Sequence, residues 1–129
     1  MSSGNPYMQL AAWLEKEASE IREIEREADH VLHNEGDEDA YRELMRAKAL
    51  KLASLEEQSV EIVQEENPAL VAVMKRIKRF SQSAAQSLRV GSVFFMSALL
   101  YPENYKHGER NDLENFVDEL RSLASSSAD

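Results

Sequence analysis

Residues 6–32 read PYMQLAAWLEKEASEIREIEREADHVL, and their apolar positions decide the fold class. Tyr7, Leu10, Leu14, Ile21, Ile24, Ala28 and Val31 follow a 3-4 spacing that keeps one stripe on one face of an α-helix. Glu17 alone interrupts it. Asn5 and Pro6 supply an N-cap and a first-turn proline, and Asn34, Glu35 and Gly36 place the end near Leu32.

Working outward, Gly36 to Asp39 form a polar turn whose acids suit the positive end of the next helix dipole. A second helix then runs to about Glu65, with the seam Tyr41, Met45, Lys48, Leu52, Leu55, Ser59 and Ile62, flanked by Leu44 and Val63. Asn67 and Pro68 restart the chain, the asparagine as cap and the proline where its missing N–H costs nothing. The third helix carries Leu70, Met74, Ile77, Ser81, Ala84, Leu88, Gly91, Phe95 and Ala98 in the same rhythm, with Val73, Phe80 and Phe94 alongside. That rhythm extends to Tyr101. Gly91 is its weak point, because an interior glycine costs about 1 kcal/mol relative to alanine and marks a kink or break. Val93 to Tyr101 is apolar nearly all round, which predicts burial on several sides.

Pro102 ends this segment, and Glu103 to Arg110 show no periodicity. Asn111 caps a last helix with Glu114 three residues on, a variant of the capping box, and Leu113, Phe116, Val117, Leu120 and Leu123 share one face. The ends, 1–5 and 125–129, are expected to be flexible. The expected architecture is all-α: one domain over 1–129, an up-down antiparallel four-helix bundle of three long helices plus a shorter C-terminal helix. An elongated hairpin that completes its core by dimerising is the alternative.

Composition agrees. The 129 residues are 43% apolar and 30% charged, with four glycines and three prolines, which fits neither disorder nor a loop-rich β fold. A net charge of −9 opposes generic binding to nucleic acid or anionic membranes. With no cysteine, disulfides, thiolate metal sites and cysteine nucleophiles are excluded. No signal-peptide pattern or apolar run of about 20 residues occurs, so the expectation is a cytoplasmic protein without a membrane span.

Candidate chemistry is sparse. Glu27 and His30 have the Glu-x-x-His spacing of di-metal carboxylate bundles, but in one copy only and beside the Ala28 seam. The acidic turn at Gly36 fails as a calcium loop, since Val31 would occupy the first ligand position. His30, His33 and His107 lack the lysine and glycine neighbours of histidine phosphotransfer domains. No nucleophile elbow or phosphate-cradling glycine loop is present. Tyr101, Glu103, Tyr105 and His107 could rim a pocket, although a packed connection explains them better. No metal and no cofactor is implied, and an enzyme is disfavoured.

Two features stand out. Glu17 and Lys48 occupy seam positions, where a charge must be paired or reach solvent. Counting outward from the turn at Glu35 sets them about five residues, or about 7 Å, apart in level, so snorkelling at the seam edge is preferred to a buried pair between them. The second feature is an acid-free stretch from Pro68 to Tyr101 containing Lys75, Arg76, Lys78, Arg79 and Arg89. These five positive charges, in a chain of net −9, leave the remainder at −14. Lys75, Arg76, Arg79, Gln82, Gln86 and Arg89 form a strip about 20 Å long opposite the apolar stripe. It should face something acidic: the chain's own helices, a second subunit or a protein partner rather than nucleic acid, since the strip has no aromatic residue.

The expected function is therefore a non-enzymatic helical protein-interaction module that self-associates, as a homodimer for example, with Lys75, Arg76, Arg79, Arg89, Phe94 and Tyr101 as partner-binding residues. A bundle holding a small molecule or cofactor-like ligand near Ser81, Ala84, Ala85, Ser87 and Gly91 is the alternative, and a carboxylate-metal or phosphotransfer enzyme ranks third.

Overall fold

The computed structural model describes residues 5–63 and 67–127. Its elements are α1 (Pro6–His33), α2 (Glu38–Ala53), α3 (Leu55–Ile62), a 3-10 turn (Pro68–Leu70), α4 (Val71–Val90), α5 (Val93–Ala98) and α6 (Asp112–Ser127), with no strand among the described residues. The expectations that the second helix reaches Glu65 and that 1–4 and 128–129 are flexible lie outside the described residues. α6 continues to Ser127.

α1 begins as its sequence requires. The Tyr7 N–H donates to Asn5 Oδ1 at 2.8 Å, and Pro6 fills the first turn. Leu10, Leu14, Ile21 and Ala28 of the expected stripe are all buried. The second expected helix is divided at Ser54 into α2 and α3, and the cause lies 27 positions away. The Ser81 hydroxyl of α4 donates to the Leu52 carbonyl at 3.0 Å and accepts from the Glu56 N–H at 2.9 Å, inserting a side chain into the helical ladder. Ser81 is thus a splice between helices rather than the wall of a ligand space, and Ser87 likewise turns its hydroxyl onto the Ala84 carbonyl.

The third expected helix is divided as well. Gly91 adopts φ +67°, which L-residues resist, and closes α4 with paired bonds from Gly91 N–H to Leu88 O and from Ser92 N–H to Ser87 O. Ser92 then caps α5 by accepting from the Phe95 N–H at 3.0 Å. This break overturns the burial expected for Val93 to Tyr101. Once α5 leaves the line of α4, Met96 and Leu100 point inward, whereas Phe94 and Phe95 face solvent.

α6 is capped reciprocally. Asn111 Oδ1 accepts from the Glu114 N–H and Glu114 Oε1 accepts from the Asn111 N–H, both at 2.9 Å. Leu113, Phe116, Val117 and Leu120 are buried against α1, and each such side chain contributes about 1.5–3 kcal/mol, far more than exposed ion pairs on the same helix. The bundle is up-down, and α1 neighbours α2 and α6 while α2 neighbours α4. Its fourth side is different: no Cα of α4 lies within 8 Å of a Cα of α6. Side chains alone bridge it, through Phe80 on Phe116 with ring centroids 5.7 Å apart and Arg76 to Glu119 at 2.7 Å.

Ser81→Ala should destabilise the fold by about 1–3 kcal/mol, since it strips partners from a carbonyl and an amide at a buried position. Urea denaturation would measure the loss, and Ser83→Ala, on the exposed side of the same turn, serves as control.

Candidate functional site

Lys48 is the decisive residue. Its side chain is 1% exposed, so the ammonium must find partners inside the protein, and it finds three. Nζ lies 3.0 Å from Glu25 Oε2 of α1, an ion pair. It donates to the Ser97 carbonyl of α5 at 3.0 Å, and it stands 5.0 Å from the centroid of the Tyr101 ring. Burial pushes the lysine below its ordinary pKa while Glu25 pulls it back up.

The cluster extends from α1 to the chain after α5. The Tyr101 hydroxyl donates to Glu25 Oε1 at 2.6 Å and receives Arg22 Nη1 at 3.2 Å. Burial first, and the Glu25 carboxylate second, raise its pKa above the usual tyrosine value. Arg22 grips Glu114 with two bonds of 3.0 and 2.7 Å and also reaches the Glu109 carbonyl at 3.1 Å. One glutamate therefore caps α6 and ties it to α1. A cleft of about 690 Å³ lies above, walled by Tyr41, Tyr101, Tyr105 and His107. The edge-on packing of Tyr101 and Tyr105, 4.7 Å between centroids, makes their loop a packed connection, and Glu103 does not line the cleft.

Glu17 and Lys48 thus depart from the seam-edge expectation. Both are buried, and they pair with others: Glu17 with Lys51 at 3.3 Å, and Lys48 with Glu25. Level explains the exchange. Counting outward from Glu35 sets Lys48 opposite Arg22, within one turn of Glu25, so the spacing argument that separates Glu17 from Lys48 is also the signal for Glu25.

This cluster anchors α5. With Ser97 held by Lys48, Met96 packs on Ala28, Met45 and Ala49, and the outer face carries Phe94 at 74% and Phe95 at 53% exposure, their rings 6.0 Å apart. Val90, the last residue of α4, is 52% exposed. Two bulky aromatic side chains are therefore held in water by a fixed support.

The basic residues are dispersed. Arg76 is half-buried over the Phe116 ring at 4.4 Å and paired to Glu119, so it belongs to the bundle rather than to a free outer strip. Lys75 lines an apolar groove with Val60, Leu70 and Val71. Arg79 is exposed with no ion pair among the described residues, and Arg89 contacts Gln86. Arg76, Arg79 and Tyr101 meet at one cavity, whereas Phe94 stands apart from it on α5. Glu27 and His30 are exposed on α1, where His30 reaches Glu35 at 3.1 Å, and no group of three His, Asp or Glu among the described residues could hold a metal ion. No helix among the described residues is long and apolar enough to cross a membrane.

Comparison with known protein families, with curated proteins and with solved structures finds no match to this chain.

Glu25→Ala should cost about 3–5 kcal/mol in urea denaturation, because it leaves a buried ammonium without its counter-charge, whereas Glu25→Leu combined with Lys48→Met should recover most of the loss. The acid limb follows Glu114. The Arg22 hydrogen bonds lower its pKa from 4.5, so its contribution is complete above that value and disappears as pH falls through the lower folded pKa. Glu114→Gln should flatten the fall in melting temperature below about pH 4.5; an unchanged acid limb would assign that fall to other carboxylates.

Proposed function

We propose that this chain is a non-enzymatic helical interaction module that self-associates through the outer face of α5. The observation that supports it is the pair Phe94 and Phe95, exposed on a helix whose inner face is anchored by Met96 and the Lys48 contact to Ser97. A two-fold arrangement would bring the same face of two copies together, burying four phenylalanine rings.

Magnitudes favour a modest affinity. Each phenylalanine contributes roughly 1.5–3 kcal/mol when fully buried, and the four together are comparable to the roughly 4–15 kcal/mol cost of association. Partner binding in this reading rests on Phe94 and Phe95, with Tyr101 acting from beneath as part of the anchor.

Light scattering tests the reading. The native chain should rise in mass toward a dimer at tens of micromolar, and the double variant Phe94→Ser, Phe95→Ser should stay monomeric with unchanged helical content, since neither ring supports the core. A native chain that remains strictly monomeric over this range overturns it.

A further inference from the structure

The open side of the bundle is a second feature, independent of α5's outer face. Where α4 and α6 stand apart, a cavity of about 470 Å³ reaches inward to Leu52, a core residue that is 1% exposed. Its size falls within the range of small-molecule sites, roughly 300–1,000 Å³, and bundle interhelical spaces are a common location for them. Phe80 and Ser83 form the α4 wall, and the chain from Ala98 to Pro102 forms the other. That second wall is set by Leu100, which holds φ +78°, a conformation unusual for a leucine, while its carbonyl accepts the Asp112 N–H at 3.0 Å.

The charges at the cavity are unequal in availability. Arg76 is committed to Glu119 and to the Phe116 ring. Asp112 and Asn115 stand on the α6 side, and burial raises the Asp112 pKa more than Arg76 lowers it. Arg79, one turn along α4 from Arg76, retains a guanidinium with no ion pair among the described residues. An apolar floor beside one uncommitted planar cation defines the ligand: an apolar ring system carrying one carboxylate.

We propose that the α4–α6 opening binds a small aromatic carboxylate, its ring between Phe80 and Leu99 above Leu52 and its carboxylate on Arg79. The ring gains burial from three apolar side chains, and the two guanidinium N–H groups match the two carboxylate oxygens. The site sits on helices fixed by the Ser81 splice and the Asn111 cap.

The probe is 2-naphthoate, with 2-naphthamide as its uncharged counterpart, followed by amide chemical shifts and by titration calorimetry on the whole chain. 2-Naphthoate should shift resonances of Phe80, Ser83, Leu99 and Tyr101 and bind about tenfold tighter than 2-naphthamide, with Arg79→Gln removing that tenfold advantage and leaving the amide unaffected. Ser83→Trp, at an exposed position on the rim, should abolish binding of both probes while retaining native helical content. Equal affinities of the two probes for the native chain, insensitivity to Arg79→Gln, shifts confined to Phe94 and Phe95, or no binding at millimolar concentration each overturn the proposal.

Discussion

A single ammonium group that cannot reach water governs how the helices of this bundle are set. Lys48 lies where the apolar seam of α2 faces α1, and an unpaired charge there would cost several kcal/mol. Glu25, the Ser97 carbonyl and the Tyr101 ring meet that demand from three different elements, and in doing so they fix one register of α1 on α2 and one position for α5. Apolar packing alone tolerates sliding by a turn. A charge with three specific partners would lose them in such a slide, and a buried ammonium left unpaired is costly.

The joints use the same logic on a smaller scale, since each is a place where a side chain or a glycine replaces a helical hydrogen bond. Ser81 satisfies the groups freed at the α2–α3 junction, the left-handed Gly91 closes α4, and Asn111 with Glu114 opens α6. Glu114 then passes the constraint on through Arg22 to Tyr101 and so back to the lysine. Polar groups thus decide where helices stop and how they are set, and the apolar stripes supply the energy that holds them together.

Features carried by neighbouring residues were legible in the sequence. The start of α1, the weak point at Gly91 and the Asn111–Glu114 cap each depend on residues within four positions, and the four-seam architecture follows from periodicity. Features made by distant residues were not. Nothing near Ser54 announces a break whose cause is Ser81, and the basic spacing of α4 cannot reveal that Arg76 lies on Phe116. The α5 region misleads for a related reason. Continuous apolarity from Val93 to Tyr101 reports that burial is favourable on every side, not that a neighbour exists on every side. Tyr101 was legible as a candidate from its place after that run, but its partners Arg22 and Glu25 sit some 76 to 79 positions earlier.

The contact from Asn5 Nδ2 to the Ala124 carbonyl, 3.4 Å long, brings the start of α1 beside the last turns of α6. Ala28, which supports α5, lies 23 positions further along the first helix, a climb of about 35 Å. Asn5 and the last described turns of α6 therefore lie at the pole far from the phenylalanine face. Copies tethered through side chains at that pole would present the phenylalanine face away from the support, in one common orientation.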